Sequence, residues 1–223
     1  DCCPSISWAA VDYRNRKKAM YYYTRRCYAP VIVAAAAKMI HDRPQHTIID
    51  SITVSAINHS LLPQTALLSC RLVDANLNIA DEFNCPLSIS PGTAERVLLP
   101  KSFSSPQNPD CSFIHIQLRN EEEIIAQNTF FYVPDKYFHF SCPSVDVRTE
   151  RVDELNWNLV LTAKNLVKDV HLDCDFDADL SDDFFDLLIC TPLTIKIKTD
   201  MPIDDIASKI RINSVNSIVA KRR

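Results

Sequence analysis

One glycine, Gly92, is present among 223 residues, where ordinary usage of about 7% would supply roughly sixteen. Dinucleotide fingerprints, phosphate-cradling loops and nucleophile elbows each need two or more glycines within a few residues. All three are excluded. Turns must instead be made by thirteen prolines, thirteen asparagines and twenty-one aspartates, because Asn and Asp tolerate left-handed backbone and bond their own main chain. At about 150 residues per domain the length predicts one or two domains. A content of 47% hydrophobic and 23% charged residues, with a net charge of −4, describes a globular chain rather than a disordered or nucleic-acid-coating one.

The longest strongly apolar run, Ala29 to Ala37, ends at Lys38, far short of the ~20 residues that cross a bilayer. No membrane partner is expected. The sequence opens at Asp1 without methionine or a cleavable apolar segment, which predicts a processed piece or an excerpt of something longer. Nine cysteines lie scattered at 2, 3, 27, 70, 85, 111, 142, 174 and 190, without a C-x-x-C pair or the Cys/His cadence of a zinc site. Free thiols in a reducing compartment are the expectation, so the compartment leans cytoplasmic without being fixed. Asn58-His59-Ser60 has the pattern of a glycan acceptor in a secretory route.

From about Asn15 to Tyr28, Met20, Tyr23, Thr24 and Cys27 recur at helical spacing, and Pro30 stops the pattern. One amphipathic helix is expected, its apolar stripe inward and its basic residues (Arg14, Arg16, Lys17, Lys18, Arg25, Arg26) on a solvated face. A phosphate-binding stripe is the weaker alternative, and no nucleic-acid partner is expected. After Pro30 the period changes to two. Ile52, Val54 and Ala56 form one inward set, Ala66, Leu68, Cys70 and Leu72 another, and Ile114, Ile116 and Leu118 alternate with His115, Gln117 and Arg119. Half-buried strands have this alternation. Turn clusters fall between them at 58–60, 74–76, 90–92 and 104–110. Beyond a proline-bounded join near Val133-Pro134-Asp135 and Cys142-Pro143, the alternation resumes with Trp157, Leu159, Leu161 and Ala163, then Val170, Leu172, Cys174 and Phe176, and then Leu193, Ile195 and Ile197. Two successive sandwiches of immunoglobulin-like size fit this series. The fold class is mainly β: one amphipathic helix, then two β-sandwiches.

Candidate chemistry is sparse. Asp173, Asp175, Asp177 and Asp179 at every second position look like a calcium loop, but counting from Asp173 puts Ala178 and Phe184 where glycine and a bidentate glutamate belong. A strand with one solvated face explains them. Glu121-Glu122-Glu123 is a charged hairpin tip without the separation of a glycosidase carboxyl pair. His41 and His46 bracket a loop rather than standing at i, i+4 on a helix. No catalytic residue, metal site or cofactor is expected from the residues themselves.

The two ends carry a likeness. Asp1-Cys2-Cys3-Pro4-Ser5-Ile6-Ser7-Trp8, then Asp12-Tyr13, the basic-aromatic segment Arg16 to Tyr28, and Ala29-Pro30-Val31 resemble the end of the catalytic barrel in β-mannosidases of glycoside hydrolase family 2. Leu180-Ser181-Asp182-Asp183-Phe184-Phe185-Asp186-Leu187-Leu188 resembles a segment of that family's C-terminal immunoglobulin-like domain, and Asn128-Thr129-Phe130-Phe131-Tyr132-Val133-Pro134 its interdomain strand. The resemblance implies three parts: a barrel tail over 1–30, a mannosidase-type sandwich over 31–135 and a C-terminal sandwich over 136–223. It places Asp1 and Cys3 in the loop at the barrel mouth, where substrate binds in such folds, and makes residues 15–28 the barrel's last helix. Family members are retaining enzymes that remove terminal non-reducing β-D-mannose with two glutamates, both of which would lie on an upstream barrel segment. That segment and a β-mannoside or glycan substrate are the implied partners, and this chain alone is expected to be inactive. Three positions depart from the family pattern: Cys3 and Lys17 replace tryptophans, and Asn15 replaces glycine. Two other readings stay open. One is a stand-alone sandwich pair binding carbohydrate or protein, with Tyr132, Tyr137, Phe138 and Phe140 as its candidate platform. The other is a decayed remnant with an uncovered apolar helix.

Overall fold

The computed structural model describes residues 8–43, 46–121, 123–188 and 192–220, with backbone only at 41–43, 46–47 and 220. The chain is mainly β and divides into two compact units, one of Cys27–His139 and the other of Asp1–Arg26 with Phe140–Arg223. A helix, α1 (Ala19–Cys27), comes first. Strands β1 (Val31–Arg43), β2 (His46–Asn58), β3 (Gln64–Asp74), β4 (Ile79–Ile89) and β5 (Thr93–Leu98) follow, then a single turn of helix, α2 (Lys101–Ser104), β6 (Ser112–Arg119) and β7 (Ile124–Phe131). After them come β8 (Val145–Arg151), β9 (Asn156–Ala163), β10 (Val167–Cys174), β11 (Ala178–Leu180), β12 (Phe185–Leu187), β13 (Leu193–Thr199), β14 (Ile210–Asn213) and α3 (Val215–Ala220).

In the Cys27–His139 unit a three-stranded sheet, β1-β2-β5, faces a four-stranded sheet, β4-β3-β6-β7, with every pairing antiparallel. This is the strand count of a constant-type immunoglobulin sandwich. Four consecutive alanines in β1 favour helix locally, yet the segment is extended in register with β2, Val31 opposite Asn58 and Ala37 opposite Ile52. Tertiary pairing overrides the local preference. Ile52, Val54, Leu68, Ile114, Ile116 and Leu118, the inward sets of the period-two reading, are fully buried in one cluster. Burial of such side chains contributes roughly 1.5–3 kcal/mol each. Pro86 lies on β4, an edge strand, where its missing N–H disturbs no ladder.

Strand β6 departs from expectation. His115 and Gln117 are buried, as are Ile114, Ile116 and Leu118 with which they alternate, so this strand is covered on both faces. It lies between β3 and β7, with Arg71 opposite His115 and Ser69 opposite Gln117.

The other unit repeats the plan. Sheets β12-β10-β14 and β11-β13-β9-β8 enclose Trp157, Leu159, Leu161, Val170, Leu172, Ile195 and Ile197. The aspartate ladder is not one strand. Asp173 is the last residue but one of β10, Asp175 to Asp177 form a bend, and Asp179 lies in β11 of the opposite sheet.

The turn economy forced by a single glycine is visible. Gly92 takes a positive φ of 68° in the turn where Thr93 N–H bonds the Ser90 carbonyl. Asn15 (61°) and Asp169 (49°) are also left-handed, as Asn and Asp tolerate, but so are Leu77 (67°) and Phe184 (54°), where a bulky side chain makes the conformation costly. Asn58 of the glycan pattern is fully buried. Its side-chain amide donates to the Leu62 and Ile89 carbonyls at 2.8 and 3.1 Å, which leaves no accessible nitrogen for a sugar. The six described cysteines are free thiols; burial pushes that of Cys70 up to about 12.

Candidate functional site

Helix α1 starts later than its periodicity predicts. Asp12 Oδ1 accepts the backbone N–H groups of Arg14 and Arg16 at 2.8 and 2.9 Å, Asn15 turns the chain in the left-handed region, and Val11 bridges back to Lys17. A side-chain-closed turn of this kind competes with helix, so the helix begins only at Ala19. Asparagine tolerates this left-handed conformation better than most residues.

The buried face of α1 is the reverse of the expected one. Tyr22 is 3% exposed, whereas Met20 is 57% and Tyr23 45% exposed, and Thr24 and Cys27 are exposed too. At 100° per residue, Met20, Tyr23, Thr24 and Cys27 share one side, and Tyr22, Arg25 and Arg26 lie on the other. The expected solvated basic face is therefore the docking face.

It docks on the loop between β11 and β12. Arg26 donates through Nη1 to Asp182 Oδ1 at 2.8 Å and the Asp183 carbonyl at 3.2 Å, and through Nη2 to the Phe184 carbonyl at 2.5 Å. Arg25 donates to the Ser181 carbonyl at 2.7 Å and to Asp182 Oδ1 at 3.0 Å. Lys17 pairs with Asp179, and the Tyr23 hydroxyl donates to Asp169. The planar fork of arginine reaches several acceptors at fixed spacing, as lysine cannot. Two short sequence segments, the basic helix and Ser181-Asp182-Asp183-Phe184, thus form one latch across more than 150 residues of chain.

Behind the latch the loop is held by its own carboxylates. Asp183, 3% exposed, accepts from the N–H groups of Leu172 and Phe184 on Oδ1 and from His171 Nδ1 on Oδ2, each at 2.9 Å. That bond raises the His171 pKa above its ordinary value. The His171 ring stacks on Phe184 at 4.5 Å and 11°, and Tyr22 leans on the same ring at 6.2 Å, which holds Phe184 in its strained backbone. Asp186 accepts the Asp169 N–H at 2.9 Å, and burial pushes its carboxyl up to about 6. Carboxylates so committed to backbone and imidazole donors fix a loop rather than transfer protons to a substrate.

An open groove of about 660 Å³ lies beside the latch, lined by Lys17, Arg25, Trp157, Asp179 and Lys196 among others. Trp157 is 7% exposed, so little indole face is offered to a sugar. The suggested aromatic platform is not formed: Tyr137 is exposed, but Phe138 and Phe140 are buried, and the Tyr132 hydroxyl bonds the Phe103 carbonyl at 2.5 Å. The aspartates of the ladder serve as ion-pair partners, Asp173 and Asp175 of Arg211 and Asp179 of Lys17. Glu121 and Glu123 flank the β6–β7 turn, as the hairpin-tip reading expects. Asp1 and Cys3, the barrel-mouth candidates, lie outside the described residues, as do Glu122 and the side chains of His41 and His46.

Comparison with known proteins bears on what this assembly belongs to. Residues 142–218 match the immunoglobulin-fold domain of mannosidases. β-Mannosidase B of Aspergillus clavatus is 22% identical over 210 residues, covering 92% of this chain and 25% of that protein. The corresponding enzyme of Aspergillus fumigatus is 22% identical over 174 residues, covering 75% and 21%. The chain is similar to the C-terminal part of β-mannosidase-like proteins of glycoside hydrolase family 2. It spans about a quarter of the length of the curated relatives it matches. Among solved structures, the β-D-mannosidase of Dictyoglomus thermophilum has a TM-score of 0.78 at 19% identity, covering 96% of this chain and 25% of its own. The exo-chitosanase of Amycolatopsis orientalis has 0.58 at 12%, covering 95% and 28%. At these identities the two likenesses show a shared fold and nothing more. Both halves of the latch are legible in the sequence as separate segments, and only their opposite charges hint that they meet.

Proposed function

We propose that this chain is the C-terminal accessory portion of a β-mannosidase-like glycoside hydrolase. In the intact enzyme, terminal non-reducing β-D-mannose is hydrolysed with retention by two glutamates that lie outside these residues. On this reading 1–30 closes a catalytic barrel, 31–135 and 136–223 are its two accessory sandwiches, and Asp1 and Cys3 belong to the loop nearest substrate. The observation that carries the reading is the orientation of α1. Its polar face is latched to the C-terminal sandwich through Arg25 and Arg26, while Met20 and Cys27 on the opposite side are uncovered. Trp8 and Tyr13, just before it, are exposed as well. A barrel helix has these two obligations, an apolar side toward its strands and an outer side toward whatever surrounds the barrel. The helix is then the joint through which the sandwich is fixed to the catalytic segment.

Loss of both carboxyls removes leaving-group protonation and the covalent intermediate together. The purified chain given an aryl β-mannoside is therefore expected to show no turnover above buffer. Turnover that survives purification and responds to substitutions within this chain defeats the reading.

A further inference from the structure

Away from the latch, in the Cys27–His139 unit, an oxygen, a sulfur and a nitrogen donor converge. Asp110, Cys111 and His139 each offer an atom, and the three atoms lie within 4.8 Å of one another. His139 Nδ1 is 3.0 Å from Asp110 Oδ2 and 3.6 Å from Cys111 Sγ. A tetrahedral zinc ion with bonds of ~2.3 Å to sulfur and ~2.0 Å to nitrogen holds those two donors about 3.5 Å apart, and nitrogen and oxygen donors about 3.3 Å apart. The observed edges match the first and fall about 0.3 Å short of the second. A catalytic relay would divide the imidazole differently, with carboxylate on one nitrogen and thiol on the other. Here both address Nδ1, the arrangement of ligands around a point.

The donors are positioned by rigid elements. Cys111 precedes β6 in a turn closed by its N–H on the Asn108 carbonyl at 3.1 Å, and the His139 N–H bonds the Asp110 carbonyl at 2.8 Å. Phe138 beside it is buried edge-on against Phe131, which stacks on Phe113 of β6 at 5.5 Å. The His139 and Asp110 side chains are 56% and 42% exposed, so an ion can enter and a water can complete the coordination. We propose that Asp110, Cys111 and His139 form a site for a borderline divalent cation of the zinc class, with three protein ligands and an open fourth position. Thiolate with imidazole selects such ions over calcium or magnesium, which prefer oxygen. A bound ion ties the loop before β6 to the end of the unit. The inference does not depend on the glycosidase reading.

The test is cobalt titration of the full-length, reduced, chelator-treated chain. One equivalent of Co²⁺ is expected to give the visible bands of a tetrahedral ion and a thiolate charge-transfer band, both displaced by Zn²⁺, and Zn²⁺ is expected to raise the melting temperature. Cys111→Ser is expected to abolish the charge-transfer band, and His139→Gln, at a largely exposed side chain, to weaken binding tenfold or more. Cys142→Ser should leave both unchanged. A folded wild-type chain that gives no band overturns the site. So does a band that persists unaltered in Cys111→Ser or in His139→Gln.

Discussion

Asp183 and Asp186 stand in one short segment and meet opposite environments. Asp183 is surrounded by donors, the N–H groups of Leu172 and Phe184 and the His171 ring. Asp186 has one backbone donor and is pushed up to about 6 by burial, with Lys168 and Arg26 only partly offsetting it. The sign follows from linkage: the folded state binds the Asp186 proton more tightly than the unfolded chain, whose carboxyl has its ordinary pKa near 3.8. This contribution is fully present below about pH 4 and is lost as pH rises through about 6. His171, raised by its bond to Asp183, adds a loss of the same sign above its ordinary pKa. Asp186→Asn keeps an acceptor for the Asp169 N–H and removes the buried charge. It should stabilise the chain by about 1–3 kcal/mol near pH 7 and by little near pH 4, measured by urea unfolding at both. An equal difference at the two pH values would show that Asp186 is not the titrating group. Neither environment is visible in the string Asp-Asp-Phe-Phe-Asp, because burial of the third carboxyl depends on strands brought from elsewhere.

At the scale of elements, the latch predicts that α1 is held by arginine geometry more than by apolar burial. Arg26→Ala removes three donated bonds, a loss of about 1–3 kcal/mol after allowing for partial exposure of the pair. Hydrogen exchange of the α1 amides should quicken about tenfold to a hundredfold, with β2, β3 and β6 unchanged. Arg26→Lys should not restore protection, since an ammonium cannot span the Asp182 carboxylate and the Phe184 carbonyl together. Protection equal to wild type in Arg26→Ala would assign the docking to Tyr22 instead. The strands were legible because alternation is local: Ile52-Val54-Ala56 and Trp157-Leu159-Leu161 fall on the core side as their period requires. The helix was legible as a helix and illegible as a surface. Its 3.6 period identifies two faces, but which one is covered depends on Ser181 to Phe184, far along the chain. The second face of β6 failed for the same reason, as did the division of the aspartate ladder between two sheets.

At the scale of the molecule, two sandwiches of the same three-plus-four plan carry buried titratable groups of opposite tendency. In the Cys27–His139 unit, burial first and Arg71 second hold His115 at about 4, well below its ordinary 6.5. A neutral folded imidazole and a protonatable unfolded one make a contribution that is present above about pH 6.5 and lost as pH falls through about 4, worth about 3 kcal/mol when complete. Asp186 in the other unit changes in the reverse direction across nearly the same window. Acidification from about pH 7 to 4 should therefore weaken the first unit through His115 and relieve the second through Asp186. Hydrogen exchange separates them, since core amides of β3 and β6 report one unit and those of β9 and β13 the other. His115→Gln, a neutral polar side chain for a strand whose second face is polar, should remove the acid-induced loss in β3 and β6 while leaving β9 and β13 as in wild type. If wild type and His115→Gln lose the same protection on acidification, then His115 is not what couples the first unit to pH.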